Sequence, residues 1–324
     1  IIGYFALSAM QSGDESSIGV TLAKQITGLY PISRLFMSYY HFPMYYGMGF
    51  YIVLSIVVFY LFVKIASLKY GLLNTLANTK SRYANDKVSY ERKSVFFALY
   101  QKELGRFLSS YMAVLNAGLG VILLCVFSIC FLFNSVGQIG NSVGIENINE
   151  YLSNLAPIFI ASMLSLSCPA ASSISLEGKN IWILKSSPVE VEMILNAKIA
   201  VNLTLHLIGY MISVSVFMLK LDMNPIQVMN LVIVPICYSL FITVIGISLN
   251  KKYPNYDWDS EMIVVKQSLP VIVTGIIGMI TLIMPILLNW LFNLPIIFVL
   301  QVVSVVLLVI TMGVYLTISK SNFI

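Results

Sequence analysis

Seven stretches of this chain are apolar, almost free of charge and long enough to cross a membrane as helices. A helix needs roughly 20 apolar residues to cross about 30 Å of hydrocarbon. Charged residues make up 10% of the sequence, well below the roughly 25% of a soluble domain. The sequence therefore predicts an all-α integral membrane protein with about seven transmembrane helices. These spans are Phe42–Val63, Phe107–Phe133, Leu152–Ser173, Leu195–Leu219, Pro225–Leu249, Leu269–Leu291 and Leu294–Ile318.

The cations between the spans fall mainly on alternate loops. The loop 64–106 carries nine Lys and Arg residues, whereas the loop 134–151 carries none. Lysines return in the loops 176–192 and 250–267. Positively charged loops face the cytoplasm. The pattern predicts an N-terminus outside, a C-terminus in the cytoplasm and a multi-pass protein of the cytoplasmic membrane. The net charge of +5 then serves contact with membrane lipid and not with nucleic acid.

A polar, charged segment divides the chain. Residues 79–93 have no apolar period and are typical of a linker. We therefore expect three parts: residues 1–64 with one transmembrane helix, a cytoplasmic linker over 65–95, and a six-helix membrane domain over 96–324. The apolar start at Ile1, without Met, is interpreted as the end of an earlier membrane segment.

Two short segments next to the spans have helical signals of their own. Phe96, Tyr100, Leu104 and Phe107 recur at helical spacing between polar residues. This amphipathic pattern predicts either a helix on the inner membrane surface or an extension of the second span. In the loop 174–187, Ser187 followed by Pro188 predicts the start of the next helix.

Three polar residues lie at four-residue steps in the fourth predicted span. Lys198 lies near its cytoplasmic end, where a long side chain can extend to the membrane surface. Asn202 and His206 continue the same helix face. Both are candidates for a substrate path. The alternative is hydrogen bonding between neighbouring helices, which is favoured for Asn202 and left open for His206.

The sequence lacks the common motifs of catalysis and metal binding. No GxxxxGK[ST] phosphate loop and no HExxH pair occur, and the histidines are His41 and His206. The four cysteines have no ligand spacing. The acidic run Asn255–Glu261 is interpreted as the start of a helix, with Trp258 at the membrane interface, and a contact surface for a partner is the second interpretation. We predict no catalytic residue and no metal site.

The order of these segments resembles a known family. Gln101–Arg106 precedes a span, the stretch SLEGKNIWILKSSP follows the next span, and PNYDWDSE lies further on. With these motifs the chain is similar to the permease subunit of an ABC-2 type ATP-binding-cassette exporter, from the bacterial group with two fused permease halves. Residues 1–64 would then end a preceding half of the same polypeptide.

The resemblance implies roles for particular residues. Lys102, Glu103 and Arg106 would belong to a connecting helix along the inner leaflet. A short element of the loop would couple the permease to a cytoplasmic ATP-binding-cassette ATPase subunit. Its residues would be Glu177, Gly178, Lys179, Asn180, Trp182 and Lys185.

The implied function is ATP-driven export of a substrate. This chain would not be an enzyme and would need no cofactor, because ATP and Mg would bind to the ATPase partner. An ion-coupled secondary transporter is the first alternative, although no Asp or Glu lies inside a predicted span. An intramembrane enzyme is the second, although His206 has no carboxylate companion in sequence.

Overall fold

The computed structural model describes residues 52–64, 94–133 and 147–320, together with Gly49, Ser67 and Val136 as single positions. The chain divides into two compact units, residues 1–90 and 91–324. In the first unit, Ile52–Lys64 forms the apolar helix α1. The rest of the predicted first span, most of the linker and the predicted outside N-terminus lie outside the described residues. The predicted domain boundaries therefore stay predictions.

The described part of the second unit is helical, without strands. Two 3-10 helices, Pro169–Ala171 and Ser175–Asn180, interrupt the α-helices. The α-helices are α2 (Val95–Ser109), α3 (Tyr111–Ala117), α4 (Leu119–Phe133), α5 (Ile148–Ser165), α6 (Ile181–Ser186), α7 (Val191–Lys220), α8 (Pro225–Lys252), α9 (Glu261–Lys266), α10 (Leu269–Phe292) and α11 (Ile296–Lys320).

Five helical stretches in the described part are long and apolar enough to cross a membrane. Helices α7, α8, α10 and α11 agree with predicted spans to within a few residues. A sixth span exists if α3 and α4 form one bent span. The five stretches are Ile148–Ser186, Val191–Lys220, Pro225–Lys252, Glu261–Phe292 and Ile296–Lys320. The protein is thus an all-helical protein with about five candidate membrane helices, and the count of seven stays a prediction.

Two predicted spans are broken where the sequence suggested continuous helices. The span 107–133 is interrupted at Ser110, whose hydroxyl caps α3 by accepting from the Ala113 N–H at 3.2 Å. It bends again by 63° at Gly118, between α3 and α4. The third span ends as an α-helix at Ser165, because Pro169 disfavours helical backbone before it.

Helix α8 lies at the centre of the second unit and packs against α5, α7, α10 and α11. Asn224 and Gln227 begin it with reciprocal hydrogen bonds, and Pro225 occupies its first turn. Its Tyr238 is fully buried, and the phenol donates to the carbonyl of Thr281 on α10 at 2.8 Å. The core therefore forms around one mainly apolar helix with other helices packed around it, as expected of a buried membrane helix.

The outer helices present large apolar side chains away from the protein. Many of these side chains on α10 and α11 are exposed, among them Ile280, Met284, Val305 and Val309. An apolar exterior of this extent is unstable in water and stable in lipid. The helices are therefore compatible with membrane association.

The predicted helix start at Pro188 was wrong. Helix α7 begins at Val191, and Glu190 is its extended N-cap residue without a side-chain cap. The Ser187 hydroxyl instead donates back to the Leu184 carbonyl at 2.8 Å, which closes α6. The capping prediction failed because the Ser187 hydroxyl bonds to α6, the preceding helix, and not to α7.

Close packing of α4 on α5 gives a stability prediction. A Cβ atom at Gly120 would overlap the backbone carbonyl of Met163, which cannot rotate away. We expect Gly120→Ala to destabilise the protein by about 1–3 kcal/mol through overpacking. Gly313→Ala on α11 is the matched control, because a Cβ there meets nothing within 4 Å. Thermal unfolding in detergent micelles measures both, and equal midpoints would contradict the packing described.

Candidate functional site: a buried charge cluster

Five charged side chains meet at the end of the bundle where α7 begins and α8 ends. Three come from consecutive turns of α2: Lys102, Glu103 and Arg106. Glu177 comes from the second 3-10 helix, and Lys198 from α7. We call these five side chains the charge cluster. It joins three elements that are far apart in sequence.

Lys198 is the buried centre of the charge cluster. Its side chain is 0% exposed, and the ammonium donates to Glu103 Oε2 at 2.8 Å, Glu177 Oε1 at 2.9 Å and the Ser173 carbonyl at 3.0 Å. An ammonium has three protons, so every donor is used. The expectation that Lys198 extends to the membrane surface was therefore wrong. The two carboxylates give the charge a better environment inside the protein.

Glu177 and Glu103 each bind more than one cation. Glu177 Oε1 accepts from Arg106 at 2.7 Å, from Lys102 at 3.1 Å and from Lys198. Glu103 Oε1 accepts from Arg106 at 2.7 Å. Burial alone would lower the pKa of Arg106, but Glu103 and Glu177 together raise that pKa above its ordinary value. The guanidinium therefore stays charged.

Sequence reasoning placed these residues in two different roles. Lys102, Glu103 and Arg106 were assigned to the connecting helix, and Glu177 to a surface for a partner. The structure instead brings the two groups into one network, in which Glu103 and Glu177 are both buried. Glu177 therefore faces the protein interior and not an external surface.

Two residues that the sequence analysis did not select for the loop hold it in place. The Asn250 side chain accepts from the backbone N–H groups of Ile174 and Ser175 at 2.7 and 3.1 Å. The indole of Trp258 donates to the Ser175 carbonyl at 2.8 Å. Trp258 also covers Gly178, where a Cβ would lie 3.2 Å from the ring. Trp258, which the sequence analysis placed at the membrane interface, thus contacts the loop.

Gly178 has a backbone conformation that favours glycine. Its φ is 56°, in the left-handed region, and it interrupts the second 3-10 helix. This turn separates the buried Glu177 from the exposed Lys179 and Asn180. A side chain at Gly178 would be strained by the backbone and would also crowd Trp258.

The other predicted loop residues are exposed. Trp182 on α6 is 63% exposed. Lys179 pairs with Asp257 at 3.4 Å, but both side chains are largely in solvent, so the pair contributes little. The Lys185 ammonium lies 5.9 Å from the centre of the Tyr256 ring. The predicted coupling residues therefore divide into a buried pair, Glu177 and Gly178, and an exposed group.

Asn202 and His206 lie one and two turns further along α7. The Asn202 amide donates to Thr243 Oγ1 at 2.6 Å, and its oxygen accepts from the Ala170 N–H at 3.2 Å. His206 Nδ1 lies 2.7 Å from Ser239 Oγ, and its Nε2 lies 2.5 Å from the Ser167 carbonyl oxygen. Both side chains are buried and connect α7 to α8 and to the segment 167–171. The described geometry favours the interhelical reading of these residues.

The described residues contain no candidate metal site. No group of three or more His, Cys, Asp and Glu side chains among them could hold a metal ion. The charge cluster contributes only two carboxylates, and three cations occupy them.

Comparison with known protein families identifies a relationship. A family model described as "Putative ATP-binding cassette" matches residues 121–321, which is more than half of the chain. The chain therefore belongs to this family. In the other two comparisons, no curated protein and no solved structure matched the chain.

This match overturns several expectations from the sequence. The family is described as an ATP-binding cassette and not as a permease, so the assignment to the ABC-2 type permease subunits was wrong. The predicted function as the permease of an exporter is wrong for the same reason, as are the two alternative functions. The match also contradicts three related predictions: that this chain is not an enzyme, that ATP and Mg bind only elsewhere, and that a separate ATPase subunit is its partner.

The described residues lack the features that a nucleotide requires. Phosphate groups are held by glycine-rich backbone before a helix, with a free lysine. Gly178 is instead covered by Trp258, and the cations of the charge cluster are bound to Glu103 and Glu177. The described residues therefore do not fit a nucleotide.

The burial of Lys198 predicts a large effect on stability. Lys198→Met keeps the side-chain volume but leaves Glu103 and Glu177 with one counter-charge fewer in a buried site. Breaking a buried ion pair by removing one partner costs about 3–5 kcal/mol, and we expect a loss of that size. Urea or thermal unfolding of the purified protein in micelles measures the change.

Lys102→Met is the matched control, since Lys102 belongs to the same cluster but its side chain is 44% exposed. We expect a loss below about 1 kcal/mol. Equal losses for the two variants would contradict the central position of Lys198.

Proposed function

We propose that residues 94–133 and 147–320 form a membrane-embedded transmission unit of an ATP-binding cassette protein. In this role, a movement of the loop 174–186 is passed to the long helix α7 and so to the bundle. The proposal is carried by one observation: the charge cluster binds α2, this loop and α7 together through Lys198, which is fully buried.

The distribution of cations supports a cytoplasmic position for the charge cluster. Among the Lys and Arg residues of 94–320, only Lys220 lies at the opposite end of the bundle, next to Asp222. The others lie on α2, in the loop 174–186, in the first turns of α7 and at the ends of α8, α9 and α11. Positive charge of this kind accumulates on the cytoplasmic side of a membrane. We therefore propose that the loop 174–186 lies on the cytoplasmic side of the membrane.

The geometry of the loop suits the transmission of force. Asn250 fixes its start to α8, Trp258 covers its middle, and Lys198 fixes Glu177 to α7. Buried, fully satisfied polar networks are rigid, because each broken bond leaves a costly unpaired group. A displacement of the loop would therefore move α7 and would not be absorbed by bending.

The exposed residues of the loop provide the surface on which such a force can act. Lys179, Asn180, Trp182 and Lys185 lie beside one another in sequence and face away from the bundle core. Exposed tryptophan is typical of contact surfaces. We propose that a cytoplasmic, nucleotide-responsive part of the protein contacts this surface.

The family description provides the ligand for the test. We propose that the full-length protein responds to ATP, without placing the nucleotide among the described residues. Hydrogen exchange with mass spectrometry, on the full-length protein in lipid nanodiscs, compares the apo state with the state in Mg·ATP. We expect the loop 174–186 and the first turns of α7 to change together.

The two lysine variants separate transmission from binding. In Lys198→Met, the loop should still respond to Mg·ATP while α7 no longer does. In Lys102→Met, both segments should respond as in the unmodified protein. A response of α7 that survives Lys198→Met would contradict the transmission role, and no response of either segment in the unmodified protein would contradict the link to ATP.

A further inference from the structure

Pro285 interrupts the hydrogen bonds of α10. In a regular α-helix, the backbone N–H of residue 285 would donate to the carbonyl of Thr281, four residues earlier. Proline has no N–H, and its ring also crowds that carbonyl. Pro285 lies inside α10 and is buried. The Thr281 carbonyl therefore loses its regular partner within its own helix.

A side chain of the central helix α8 replaces the missing bond. The phenol of Tyr238 donates to the Thr281 carbonyl at 2.8 Å, and this tyrosine is 1% exposed. Neighbouring helices commonly satisfy the backbone groups that a proline frees inside a membrane helix. The interrupted turn of α10 is thus held to α8 by a single hydroxyl group that α10 does not itself contribute.

The part of α10 beyond Pro285 is held only weakly by the bundle. The buried residues of α10 are Pro270, Thr274, Gly278 and Pro285, so the last of them is the proline itself. None of the residues 286–294 is buried against the described part of the chain. We call these nine residues the α10 tip. Because the tip faces away from the core, it can tilt without opening the packing of the bundle.

The α10 tip is closed at its far end by local contacts. The Asn289 side chain donates to the Leu294 carbonyl at 2.6 Å. Asn293 ends α10 with a φ of 50°, in the left-handed region, which asparagine adopts more readily than most residues. The backbone can therefore turn at Pro285 on one side of the tip and at the non-helical residues 293–295 on the other.

We propose that Pro285 is a hinge in α10 and that the Tyr238 phenol is the latch that keeps this hinge closed. With the bond to the Thr281 carbonyl formed, the α10 tip is fixed to α8. With the bond broken, the tip tilts at Pro285 towards the lipid. The hinge does not depend on the transmission role proposed above, because it uses none of the contacts of the charge cluster, which lies at the other end of the bundle.

Fluorine NMR of 5-fluorotryptophan measures the position of the tip. The sequence contains three tryptophans, of which Trp290 lies on the tip and is 77% exposed. Trp182 and Trp258 lie in and against the loop 174–186, and their signals serve as references for the native bundle. The full-length protein is labelled and placed in lipid nanodiscs, and Trp290→Phe identifies the Trp290 signal. We expect one main Trp290 signal, from the latched tip.

Tyr238→Phe removes the latch and keeps the aromatic ring. We expect a second Trp290 signal, with the ratio of open to latched tip raised at least about fivefold, because the Thr281 carbonyl then lacks its buried partner. Tyr210→Phe is the matched control, since that phenol donates to the Val232 carbonyl of α8 at 3.2 Å and not to α10. It should leave the Trp290 signal unchanged.

Pro285→Ala tests the hinge itself. Alanine supplies the missing N–H to Thr281, so Trp290 should give a single signal, and adding Tyr238→Phe should not change it. A Trp290 signal that ignores Tyr238→Phe would overturn the proposal, as would an equal response to Tyr210→Phe or a response that persists in full beside Pro285→Ala. Movement of the two reference signals in Tyr238→Phe would also overturn it, because the phenol would then hold the whole bundle.

Discussion

The burial of a positive charge in an apolar bundle is the constraint on which the rest of this structure depends. A charge moved from water into the protein interior is stable only if opposite charges and hydrogen bonds replace its water. Lys198 meets this requirement with two carboxylates and one carbonyl. These acceptors come from α2, from Ser173 and from the loop 174–186. Hydrogen bonds to the Lys198 ammonium therefore fix the positions of α2 and of this loop relative to α7.

The helices of the bundle were largely predictable, and the breaks in them were not. Helices α7, α8, α10 and α11 follow from uninterrupted apolar length, which only a membrane helix needs. Ser110 and Gly118 gave no comparable signal, because single polar or small residues are tolerated inside such helices. Tertiary contacts decide where these breaks occur. Ser110 also donates to Glu261 on α9, and Ser167 accepts from the Val121 N–H.

The charge cluster was predictable in its members and not in its assembly. The sequence marked Glu103, Arg106, Glu177 and Lys198 individually, but Lys198 lies 95 residues from Glu103 and 21 from Glu177. No periodicity connects positions at such separations. The position of Lys198 near one end of its span suggested that its side chain extends to the membrane surface, because that interpretation needs no partner for the charge. The family assignment was also beyond the sequence reasoning, which found motifs of a permease where the match is to an ATP-binding cassette.

A double-mutant cycle between Lys198 and Glu177 tests the central claim most directly. Lys198→Met and Glu177→Gln, singly and together, are compared by the free energy of unfolding in micelles. If the two side chains depend on each other as described, the double variant loses less than the sum of the single losses, by roughly 0.5–3 kcal/mol. Losses that simply add would contradict the account, because the two charges would then be stabilised independently.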